Sequence, residues 1–154
     1  MHIDNSDKEI KNCTNGKVVT LDSVHDKFFS TKILGDGYAV IPDDNTIYSP
    51  VNGYIKSIGE NGFAVTIKSD DGLSLLIHLG LNLNPDLKNA VNLAVKAGDR
   101  ICAGDIIGKF NFSEIGDIDP TICVIVTNSH KLSRFCVHTG KALAVDTAAL
   151  VYSL

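Results

Sequence analysis

The chain has 154 residues, of which 44% are hydrophobic and 21% charged, and its net charge is −4. That balance fits one globular domain and excludes a disordered, like-charged chain. No Lys/Arg cluster is available to meet a phosphate backbone, and no apolar run approaches the roughly 20 residues of a membrane helix, so nucleic-acid partners and membrane spans are not expected.

Residues 1–12 are polar and mixed in charge, which predicts a flexible N-terminal tail, no secretory signal and a soluble, cytoplasmic protein. Residues 13–154 read as a single domain. Within it, Gly, Pro, Asn and Asp bound short apolar runs at 17–21, 38–41, 54–58, 63–67, 73–79, 106–110, 122–126 and 148–152. Such β-branched or aromatic-rich runs predict strands. Their close, regular spacing suits an all-β sandwich or barrel with at most short helical turns. Only residues 112–117 invite a helical turn, with Ser113 as a candidate N-cap.

The stretch from Phe63 to His78 reads as a β-hairpin, because Ser69-Asp-Asp-Gly72 separates two apolar runs. Pairing Lys68 with Leu73 places Val65 opposite Leu76 and Phe63 opposite His78. On the second strand Leu73, Leu75, Ile77 and Leu79 share a wholly apolar core face. His78 points the other way, beside Leu76 and Gly80, where the glycine leaves a shallow dish next to the ring.

The four cysteines, Cys13, Cys102, Cys123 and Cys136, form no C-x-x-C pair, so they read as buried or half-buried thiols in a reducing compartment. His25, His130 and His138 match no ligand spacing and read as surface residues, with His2 in the tail. No metal or other cofactor is expected. Of the five histidines, only His78 is a candidate for chemistry.

Seven segments in order carry a resemblance. They are Asn15-Gly-Lys-Val-Val-Thr-Leu21, Phe29-Ser-Thr-Lys-Ile-Leu-Gly-Asp-Gly-Tyr-Ala-Val-Ile-Pro42, Tyr48-Ser-Pro-Val-Asn-Gly53 and Ile67-Lys-Ser-Asp-Asp-Gly72, followed by Leu76-Ile-His-Leu-Gly-Leu81, Lys96-Ala-Gly-Asp-Arg-Ile-Cys-Ala-Gly-Asp105 and Val124-Ile-Val-Thr-Asn128. Together they resemble the glucose-type IIA domain of the bacterial phosphoenolpyruvate-dependent sugar phosphotransferase system. The resemblance implies an antiparallel β-sandwich of duplicated hybrid-motif type with a shallow apolar depression. It also implies a phosphotransferase in which His78 takes a phosphoryl group from the phosphocarrier HPr and passes it to a IIB domain. The membrane would be reached only through a IIB/IIC permease partner. A neutral imidazole suits that step, since one nitrogen keeps its lone pair while an acceptor holds the other N–H.

The chain departs from the family at the site. A second histidine, expected to hydrogen-bond the phosphoryl group, is replaced by Phe63, and the threonine two residues before it by Asn61. An acidic rim residue is neutral Asn82, and the loop starting at Asn84 differs, whereas Asp36 keeps the other rim carboxylate. Asp36, Leu76, Gly80, Asn82 and Asn84 form the expected partner-binding rim. The departures predict impaired onward transfer. The alternative is a non-catalytic IIA-like regulatory or protein-binding module. Biotinyl/lipoyl-type carriers and zinc endopeptidases share such turns, but Lys68 lacks a carrier lysine's neighbours and His78 lacks a His-x-His partner.

Overall fold

Short strands separated by turns make up the computed structural model, which describes residues 8–144 and 148–154. They are β1 (Lys8–Lys11), β2 (Gly16–Thr20), β3 (Asp36–Pro42), β4 (Thr46–Tyr48), β5 (Gly53–Ile58), β6 (Ala64–Ser69) and β7 (Ser74–His78). The remainder are β8 (Val91–Leu93), β9 (Arg100–Ile101), β10 (Ile106–Phe110), β11 (Ile122–Val126), β12 (Arg134–Val137), β13 (Gly140–Ala142) and β14 (Ala148–Ser153). One α-helical turn, α1 (Lys27–Ser30), lies between β2 and β3. Short 3₁₀ turns occur at Leu21–Ser23, Pro85–Ala90, Phe112–Ile115 and Ser129–Lys131.

All pairings are antiparallel. An eight-stranded sheet has the order β13-β2-β3-β11-β7-β6-β5-β9, and two three-stranded sheets have the orders β4-β10-β8 and β1-β14-β12. This is the expected all-β sandwich. Among the described residues no helix is long and apolar enough to cross a membrane.

β11 shows how the large sheet divides its two faces. Every residue of β11 is buried. Ile122, Val124 and Val126 enter the main core with Val65, Ile67, Leu75 and Ile77. Cys123 and Ile125 face a smaller cluster that holds Leu21, Val24, Phe29, Ala39 and Leu81. Cys123 is paired with His78, so the histidine stands on the smaller cluster's side of the sheet.

The hairpin register differs by one residue from the sequence-based expectation. Lys68 pairs with Ser74 and Ala64 with His78, so Phe63 is not opposite the histidine. The turn explains the shift. Ser69 N–H donates to the Leu73 carbonyl at 2.8 Å, leaving Asp70, Asp71 and Gly72 as a three-residue loop. Gly72, with φ +95°, takes the left-handed position such loops favour. This register pairs Val65 with Ile77 and Ile67 with Leu75, placing apolar side chains together on the core face.

Three further expectations are corrected. Residues 8–11 of the expected tail form β1, because Ile10 is fully buried and the strand pairs with β14; residues 1–7, including His2, lie outside the described residues. Cys13 and Cys123 are buried, but Cys102 and Cys136 are exposed. The turn at Phe112–Ile115 begins after Asn111, not at Ser113.

Candidate functional site

β7 ends at His78, and the chain turns away at Gly80, whose φ is +72°. A Cβ at position 80 would sit 2.9 Å from the Leu83 side chain, so a residue other than glycine meets both strain and a close approach. The Gly80 carbonyl lies 2.9 Å from His78 Nδ1. A carbonyl only accepts, so Nδ1 carries the proton and Nε2 of the neutral imidazole carries the lone pair. On either side His78 has small cross-strand neighbours, Ala64 on β6 and Cys123 on β11.

The wall opposite the sheet comes from α1. Asp26 is its N-cap, accepting from the Phe28 N–H at 2.9 Å. That short turn buries Phe29, whose ring centroid is 5.1 Å from that of His78 at an interplanar angle of 55°. Phe28 is left 66% exposed at the rim. Between α1 and the sheet is a depression of about 310 Å³, lined by Asp26, Phe28, Phe29, Leu34, Phe63, His78, Asn82 and Leu83. Its walls are largely apolar.

Burial lowers the proton affinity of His78 below the ordinary imidazole range, opposed by the Gly80 carbonyl and by the nearby Asp26 carboxylate. The buried Cys123 thiol is pushed up to about 12, chiefly by desolvation and further by Asp26 and Asp119, and so stays neutral. Among the described residues no group of three or more His, Cys, Asp or Glu side chains is placed to hold a metal ion.

Of the residues singled out in the sequence, His78, Phe63 and Asn82 line the depression. Gly80 contributes its carbonyl. Phe63 also packs against the main core. Three others stand apart. Leu76 packs on the smaller cluster. Asn84 accepts from the Asp86 N–H and caps the turn at Pro85–Ala90. Asp36 accepts from the Gly37 N–H and lies 3.5 Å from Lys32 Nζ. Sequence reasoning missed Asp26, Phe28, Phe29, Leu34 and Leu83. The available signal was Asp26 preceding Lys-Phe-Phe-Ser, an N-cap residue ahead of an aromatic pair.

Comparison with known proteins gives a consistent picture. Residues 8–132 match the family described as phosphoenolpyruvate-dependent sugar phosphotransferase system, EIIA 1. A glucose-specific EIIA component of Buchnera aphidicola is 36% identical over 141 residues, covering 86% of this chain and 80% of that protein. A glucoside-specific EIICBA component of Staphylococcus carnosus is 35% identical over 138 residues, covering 88% of this chain but only 20% of that protein. The solved structure of glucose permease IIA from Mycoplasma capricolum superposes with a TM-score of 0.84 at 26% identity, covering 97% of this chain and 99% of that one.

Proposed function

The chain belongs to the EIIA 1 family of the phosphoenolpyruvate-dependent sugar phosphotransferase system, and from that premise we propose that Nε2 of His78 accepts a phosphoryl group from HPr and passes it to a IIB permease domain. One observation carries this reading: Nδ1 is held by the Gly80 carbonyl, which reserves the lone pair of Nε2 for attack. As the Nε2–P bond forms, the donor's bond to phosphorus breaks, and the proton on Nδ1 stays in place. The chain spans about a fifth of the EIICBA relatives, which supports IIB and IIC domains as partners on the acceptor side.

Phe63 shapes the second half of the reaction. It lines the depression beside His78 but carries no hydrogen-bond donor for the equatorial oxygens. Loss of one positioned donor costs about 10²–10³ in rate, so onward transfer is impaired. Incubation with phosphoenolpyruvate, enzyme I and HPr is expected to give acid-labile label that His78→Ala abolishes. Phe63→His is expected to raise the rate of transfer to a IIB domain. An unlabelled wild-type chain beside a labelled IIA relative would assign the fold to a non-catalytic docking module instead.

A further inference from the structure

Asp26 has a second use beyond capping. Its Oδ1 accepts the Phe28 N–H at 2.9 Å and so holds the turn that rests Phe29 on the imidazole. The same side chain lines the depression with His78, and its charge reaches both His78 and Cys123. Among the described residues, the other groups that pair with His78 or line the depression are uncharged. β6 contributes Ala64 and Phe63, β11 contributes Cys123 with a protonated thiol, and the following loop contributes the Gly80 carbonyl and Asn82. Asp119 lies on the Cys123 side. The charged lining residue of the depression is therefore an acid, and a phosphoryl group on Nε2 would enter its field.

We propose that Asp26 is a positioning residue of His78 that caps α1 and, by repelling the phosphoryl group, keeps the phosphohistidine poised to give that group away. This rests on His78 being the phosphoryl acceptor. In the release step the Nε2–P bond breaks as the acceptor's bond to phosphorus forms, or water's bond in hydrolysis. The electron pair returns to Nε2, and Nδ1 keeps its proton. The carboxylate favours that direction because it is less repelled by the neutral imidazole than by the phosphorylated one. It also favours a proton on the leaving imidazole.

The two roles separate by substitution, since Asn and Ser cap as well as Asp but carry no charge. D26N and D26S keep the cap and lose the field, and D26A loses both. Each protein is phosphorylated chemically with phosphoramidate, which transfers its phosphoryl group and releases ammonia, and label on other histidines is subtracted with His78→Ala. Loss of the His78 label is then followed against pH. Both D26N and D26S are expected to hold the label about tenfold longer, the equivalent of one pK unit of differential interaction. Their pH profiles are expected to move to lower pH, and the His78 imidazole to titrate at lower pH by NMR in the unphosphorylated proteins. Equal lifetimes and equal titrations in wild type, D26N and D26S would overturn the proposal, including when only D26A differs. If His78 takes no label from HPr or phosphoramidate, the acceptor reading fails. The NMR titration still decides whether Asp26 acts on the imidazole.

Discussion

At Gly80 a left-handed backbone places the carbonyl against His78 Nδ1, and the open space of a glycine admits Leu83. Gly80→Ala is expected to destabilise the fold by about 1–3 kcal/mol through strain, seen as a lower denaturation midpoint, and to slow phosphoryl acceptance as the imidazole loses its anchor. The imidazole itself sets a pH dependence. Burial lowers its proton affinity in the folded state below the usual value of 6.5. Acceptance is therefore expected to hold as pH falls through 6.5 and to decline only lower, where Nε2 becomes protonated. The unfolded chain takes up that proton first, so the histidine's contribution is present above 6.5 and is lost as pH falls through the lower folded-state range. Denaturation midpoints measured against pH should show an acid-side loss that is smaller in His78→Ala. The face on which His78 stands was legible from alternation, whereas the place of Asp26 beside it was not. An N-cap acid tells of a helix start and carries no mark of the group across the cleft.

The β6–β7 hairpin and α1 are the elements that make the depression. The hairpin was legible as an element but its register was not, because Ser69 joins the ladder and leaves a three-residue loop. The apolar pattern contained the answer. Val65 and Ile67 belong with Ile77 and Leu75, the arrangement the structure adopts, whereas pairing Lys68 with Leu73 set a charge on the core face. Beneath the histidine, Ile77 is fully buried between β6 and β11. Ile77→Ala is expected to cost about 2–5 kcal/mol, measured by chemical denaturation. α1 escaped the sequence reading because four residues are too few to show helical periodicity. Its place is secured by burial of Phe29 and by the Asp26 cap.

Across the whole molecule, the eight runs legible in the sequence became β2, β3, β5, β6, β7, β10, β11 and β14, all interior to their sheets. The strands that were not legible, β1, β4, β8, β9, β12 and β13, are the sheet edges. An edge strand pairs on one side only and is short, so it needs neither a long apolar run nor strict alternation. β1 is nevertheless structural, since Ile10 is fully buried and pairs with Leu150. Removing residues 1–11 is expected to destabilise the protein by about 2 kcal/mol or more, lowering its thermal midpoint; an unchanged midpoint would return these residues to the role of a tail. The resemblance carried by turn motifs spans the sheets and gave the family, but the depression also depends on residues that none of those motifs marks. The claim on which the functional account turns is that phosphorus bonds to Nε2 of His78 while Nδ1 keeps its proton. Nitrogen–phosphorus correlation NMR of the ¹⁵N-labelled chain after incubation with phosphoenolpyruvate, enzyme I and HPr measures this directly. The account predicts one phosphorylated imidazole nitrogen, Nε2 of His78, with Nδ1–H still donating to Gly80; phosphorus on Nδ1, on another histidine, or on no imidazole would contradict it.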